Sequence, residues 1–170
     1  MEWFVFIQVF VSVLFAVSSA AKFSKLSSFR VTLRQLRITP FWARNVVVAI
    51  PLFELVVCVL LLFPITLRYG AVLALLLLSS FAWAGWRAKG RMVTYQWFGG
   101  LISERFGMWL HTRHLVLFLL SIYLLVAPFS STLTIASFNE ISTLVLSSLG
   151  ILVIYTLGLT LRQYHKLYQE

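Results

Sequence analysis

Residues 45–63 read NVVVAIPLFELVVCVLLLF, a nineteen-residue run with one charged side chain. About 20 predominantly apolar residues are what an α-helix needs to cross the hydrocarbon core of a bilayer. The same texture recurs on both sides of this run. Stretches at Trp3–Ala21, Tyr69–Trp86, Gly107–Phe129 and Ile141–Leu161 bring the expected number of spans to five. The fourth is the least regular, because its uninterrupted apolar part is Leu115–Phe129 and His111, Arg113 and His114 stand at its start. It enters the membrane either at Gly107 or, after an interfacial turn, at Leu115. Of the 170 residues, 61% are hydrophobic and 11% charged. Soluble domains run at about 45–50% and about 25%. The expected class is an all-α integral membrane protein.

A net charge of +9 invites a nucleic-acid reading, but the placement of the charge argues against it. Lys22, Lys25, Arg30, Arg34, Arg37 and Arg44 lie in or flank the first loop. Arg87, Lys89, Arg91, Arg105 and Arg113 lie in or flank the third, and Arg162 and Lys166 are in the tail. Arg68 alone belongs to the other two loops. With five spans, the cation-rich segments share one side, and the positive-inside rule makes that side the cytoplasm. The expected orientation in a bacterial inner membrane is N-terminus outside and C-terminus cytoplasmic. No Lys or Arg precedes Lys22, so the first run lacks the basic n-region of a secretory signal. Ser18-Ser19-Ala20-Ala21 offers small residues for cleavage, but an uncleaved helix is the expectation.

The segments between spans are short. The longest, Lys22–Arg44, carries Leu26, Phe29, Leu33 and Leu36 at three- and four-residue spacing, with Arg30, Arg34 and Arg37 on a separate stripe. That pattern predicts a short helix in the headgroup region, its cations facing anionic lipid. Thr39-Pro40 is expected to stop it, since proline disfavours a helical residue before it. In the first span Ser12, Ala16 and Ala20 form a small-residue stripe suited to close packing within the bundle. The last span holds Ser142, Thr143, Ser147, Ser148, Gly150, Thr156, Gly158 and Thr160. A helix so rich in hydroxyls is expected to close the bundle or to meet a partner.

Glu54 sits about nine residues into its span, at about 1.5 Å per residue near the bilayer centre. An ionised acid there costs several kcal/mol unless it is paired or hydrated. No cation has an obvious claim to be its partner. One reading is a proton-carrying or ligand-binding acid. The plainer one, favoured here, is a protonated Glu54 hydrogen-bonded to Ser12, Ser18 or Ser79. Pro51 frees a backbone carbonyl and is expected to bend the helix toward the same polar place. His111, Arg113 and His114 are the residues that would stand near a haem or quinone, although two histidines three residues apart more often solvate a helix end. Tyr95, Trp97, Phe98, Trp109 and Trp86 suit an interfacial aromatic belt, with an aromatic quinone or flavin site as the alternative. Gly99-Gly100 permits a tight turn after them. The single cysteine, Cys58, excludes an intramolecular disulfide and a Cys-rich metal site.

The run Val93-Thr94-Tyr95-Gln96-Trp97-Phe98-Gly99 resembles a signature of the MauE family of small bacterial membrane proteins, relatives of DoxX. In that family a Val-Pro-Cys-Gly-Cys-Phe-Gly-like run follows the third membrane helix. Val93, Phe98 and Gly99 match, whereas Tyr95 and Trp97 stand where the two cysteines would be. Ala21-Lys22 followed by Phe29 resembles the family's first-helix exit, and Pro51-Leu52-Phe53-Glu54-Leu55 its Pro-x-x-Glu-Leu segment. Ser103-Glu104 and Arg113 extend the likeness, which runs from about Ser19 to Leu125. The resemblance implies a four-helix transmembrane bundle over residues 1–130, with residues 131–170 an additional transmembrane helix and short tail. It also implies maturation of a partner redox enzyme through thiol–disulfide exchange. That reaction needs an attacking thiolate and a resolving thiol. Tyr95 and Trp97 supply neither, and Cys58 is a lone thiol in an apolar span.

The expectation is therefore a non-catalytic subunit or assembly factor that binds other membrane subunits of a redox or respiratory-type complex, touches lipid through its basic first loop, and holds no cofactor. A membrane electron-transfer component binding quinone or haem and a small proton-linked carrier using Glu54 are the alternatives.

Overall fold

The computed structural model describes residues 3–35, 40–87, 94–95, 104–105, 108–127 and 138–167. Six α-helices account for nearly all of them: α1 (Trp3–Ser24), α2 (Leu26–Gln35), α3 (Pro40–Leu62), α4 (Leu67–Arg87), α5 (Met108–Val126) and α6 (Phe138–Leu167). Between α4 and α5 lies one short antiparallel pair, β1 (Thr94–Tyr95) with β2 (Glu104–Arg105). The all-α membrane architecture expected from the apolar runs is present. Among the described residues, α1, α3, α4 and α6 each contain a stretch long and apolar enough to cross a membrane. The apolar part of α5 is shorter, His114–Val126. Its helix nonetheless begins at Met108, so this segment opens as a continuous helix and not as an interfacial turn.

The bundle is built around α1. That helix packs against α3 most extensively and also touches α6, α5 and α2, while α4 packs on α3 and α5. Half of the α1 span is buried inside the protein, against 17% of the α6 span, so α1 is the axis and α6 a peripheral addition. Phe4, Val11, Leu14 and Phe15 of α1 meet Val57 and Leu61 of α3, Leu67, Ala71, Ala74 and Leu78 of α4, and Leu117 and Leu124 of α5 in one apolar core. In lipid such contacts hold helices together by close packing more than by exclusion of water.

Helices α3 and α4 form a tight hairpin. A 3₁₀ turn at Pro64–Thr66 joins them, and the Thr66 hydroxyl donates to the Leu60 carbonyl at 2.9 Å. Gly70 lets the two backbones touch, since a Cβ there would lie 2.9 Å from the Leu61 nitrogen and 3.0 Å from the Leu60 carbonyl carbon. Pro51 lies inside α3 without ending it.

The first loop departs from expectation in what its apolar face meets. The short helix exists, but Phe29 and Leu33 are buried against Val47 of α3, with Leu26, Val46 and Ile50 around them. Its apolar face meets protein, not acyl chains, because the corner at Lys25 folds α2 back beside the start of α3. There the Lys25 N–H donates to the Lys22 carbonyl at 3.3 Å and the Phe29 N–H to the Lys25 carbonyl at 3.1 Å. The helix is described to Gln35, short of Thr39-Pro40, and Pro40 opens α3. Proline suits a first helical position because the N–H it lacks would have no partner there.

In α6, Leu144, Ser148 and Leu152 are buried, and the helix packs on α1. Four of the other hydroxyls bond within the helix itself. Ser142 and Thr143 donate to the Asn139 carbonyl, Thr156 to Val153 and Thr160 to Thr156, all within the helix. A serine or threonine satisfied by its own preceding turn can face lipid.

Candidate functional site

Polar side chains are rare in the spans, and most of the buried ones gather where α1 crosses α3. The Gln8 amide donates to the Leu61 carbonyl at 2.6 Å, Ser12 to the Cys58 carbonyl at 2.9 Å, and Ser19 to the Pro51 carbonyl at 2.8 Å. The numbers fall on one side as they rise on the other, which is the register of an antiparallel helix pair. Gln8, Ser12 and Ser19, spaced by four and seven, form one face of α1. This face is rotated from the expected stripe, for Ala16 is only partly buried and Ala20 is exposed. The contact with α3 is a polar seam as well as a small-residue one. Gln8 was not singled out from the sequence; a glutamine inside an apolar run was the available signal.

At one end of the seam lies an ion pair. Lys22 Nζ stands 2.5 Å from Glu54 Oε1, and the two side chains are 1% and 0% exposed. Lys22 also donates to the Ser18 hydroxyl at 2.7 Å, and Ser18 in turn donates to Glu54 Oε1 at 3.1 Å. Ser18 and Lys22 are four residues apart, so they share a face of α1. The register of the seam sets Lys22 opposite about residue 48, six residues short of Glu54, a gap of about 9 Å along the axis. Side-chain direction closes that gap. Side chains lean toward the N-terminus of their own helix, so in an antiparallel pair Lys22 leans into the bundle and Glu54 leans out to meet it.

This corrects the sequence reading, which gave Glu54 no cation and counted Lys22 among the loop charges. Of the three serines proposed as partners, Ser18 is the one that bonds the carboxyl. Ser12 is committed to Cys58, and Ser79 is exposed. A lysine near a helix end ordinarily snorkels outward to the headgroups. Here it turns inward.

Aromatic rings complete the surroundings of the ammonium. It lies 5.9 Å from the ring centroid of Phe29 on α2 and 5.3 Å from that of Phe81 on α4. Both are within reach of a cation–π interaction, worth more when the cation is desolvated. On α5, His114 is buried and meets Phe81 edge-on, the centroids 6.4 Å apart. It therefore belongs to the interior of the bundle, not to a solvated helix end. Four helices thus converge on one lysine. Glu54 Oε2 is buried with no hydrogen-bond partner among the described residues.

Cys58 is buried, its sulfur 3.2 Å from the Ser12 hydroxyl. Trp97, Phe98 and Gly99 lie outside the described residues, as do the side chains of Tyr95, Trp109, His111 and Arg113. The backbone of Tyr95 is in β1, paired with Glu104.

Among the described residues, four helices long and apolar enough to cross a membrane make this a multi-pass helical membrane protein. The family model described as methylamine utilisation protein MauE matches residues 1–127, and the chain belongs to that family. Helix α6 lies beyond the matched residues. Comparison with curated proteins and with solved structures gave no match.

Proposed function

We propose that this protein is a non-catalytic subunit or assembly factor of a larger, redox or respiratory-type complex in the bacterial cytoplasmic membrane, inserted with its N-terminus outside and its C-terminus in the cytoplasm. One observation carries the reading: the family frame is kept while its dithiol is not. Tyr95 and Trp97 occupy the two cysteine positions, and Cys58 is buried and engaged with Ser12. Thiol exchange needs two thiols within reach. Removing that chemistry leaves binding as the property the bundle retains. The family's description points to methylamine utilisation, and a binding partner from that process fits the proposal. The hydroxyl content of α6 lends it little weight, because Ser142, Thr143, Ser148, Thr156 and Thr160 all bond within the helix.

Native purification in mild detergent tests the proposal. Stoichiometric membrane partners are expected to travel with the chain, and a clean, active monomer would sink it. A cofactor-bearing version of the same role would show itself as a visible absorption spectrum lost in His111→Ala or His114→Ala.

The carrier alternative gains one specific observation, the counter-charge that Lys22 gives to Glu54. Its mark is loss of transport in Glu54→Gln with normal membrane insertion.

A further inference from the structure

We propose that the Lys22–Glu54 pair is a latch holding α2 as a lid over one end of the α1–α3 polar seam, and that Lys22 turns away from the bundle toward the headgroup region when Glu54 carries no charge. The inference does not depend on whether the protein acts as a subunit or as a carrier. Lys22 belongs to the corner between two helices. Its carbonyl accepts the Lys25 N–H in the turn from α1 to α2, and its ammonium lies 5.9 Å from the ring centroid of Phe29, the residue that seats α2 on Val47. With Glu54 charged, the ammonium is drawn into the bundle and holds Phe29 from below.

Without that charge the balance reverses. An ammonium that has lost its counter-charge is costly to hold in an apolar interior, and Lys22 is only two residues from the end of α1. Its flexible stem then extends outward to the headgroups. Phe29 loses the cation beneath it. The lid loosens and uncovers the part of the seam that holds Ser19, Pro51 and the unsatisfied Glu54 Oε2. Lys25 at the corner and Arg30 on α2 are exposed and remain at the surface in both states.

Two readouts on the full chain test this in permeabilised vesicles containing anionic phospholipid: acylation by a water-soluble amine-reactive ester, and amide hydrogen exchange read by mass spectrometry. Lys25 is the internal reference. In the wild type Lys22 is expected to acylate at least about tenfold more slowly than Lys25, as burial and local protection require. In Glu54→Gln it should approach the Lys25 rate, while exchange across Leu26–Gln35 rises about tenfold and the α3–α4 hairpin keeps its wild-type exchange. Lys22→Met keeps the stem and removes the cation, and should speed α2 exchange in the same way. Wild-type Lys22 reacting as fast as Lys25 overturns the latch, and this arm needs no variant to fold. So does a Glu54→Gln protein in which Lys22 stays protected, or in which Lys22 is released while α2 exchange is unchanged. Unaltered α2 exchange in Lys22→Met overturns it as well.

Discussion

Glu54 shows how much one neighbour changes the meaning of a residue. An acid near the middle of an apolar span suggested a protonated side chain or a functional carboxylate. Beside Lys22 it becomes half of a neutral unit whose members are each costly alone. Uncharged seam contacts are worth far less, since interhelical hydrogen bonds in membranes average about 0.6 kcal/mol. Ser12→Ala, which removes the bond to the Cys58 carbonyl, should therefore lower stability by about that amount. Lys22→Ala strands a buried partner and should cost more, toward the roughly 3–5 kcal/mol seen when a buried ion pair loses one member. Reversible unfolding of both variants in the same detergent checks the ranking. Equal losses would show that the pair contributes no more than an ordinary seam hydrogen bond.

At the scale of the helices, short connections do most of the positioning. The α3–α4 hairpin depends on Pro64, Thr66 and the bare backbone of Gly70, and its register brings Glu54 and Phe81 to the same end of the bundle. Gly70→Ala would drive a methyl into the Leu60–Leu61 backbone, which cannot give way as a side chain can. A loss of about 1–3 kcal/mol is expected, with the helices themselves retained. Thermal unfolding followed by circular dichroism checks it, and a wild-type midpoint would show that the helices separate without penalty. The α1–α2 corner acts in a comparable way. It sets Phe29 over Lys22 and turns a helix that reads as a lipid-surface element into a lid on protein. The spacing of Leu26, Phe29 and Leu33 made the helix and its apolar face legible. It held no information about what the face would meet, because lipid and the flank of α3 are equally apolar.

For the whole molecule, the distribution of charge and the topology are the same question. On the expected five-span topology, withdrawing Lys22 into the ion pair removes one cation from the basic side and leaves the asymmetry intact, with Arg68 still alone opposite. The orientation with the N-terminus outside is tested by Thr132→Cys in a Cys58→Ser background. Its thiol should be alkylated by an impermeant reagent from outside the cell and protected from the cytoplasmic side, and the reverse pattern would invert the topology. Serine at position 58 is a mild background, since Ser12 bonds the backbone carbonyl there as well as the sulfur. The amino-acid sequence by itself determined the apolar runs, the clustering of the cations along the chain, the family frame and the missing dithiol. Each of these is a property of local composition or of counting along the chain. Only the tertiary structure decided that Lys22 pairs with Glu54, that Phe29 and Leu33 of α2 pack on Val47 and that His114 is interior. Those outcomes depend on helix rotation, antiparallel register and the lean of side chains along their own axes. Residues 32 positions apart acquire such relations only when the helices pack.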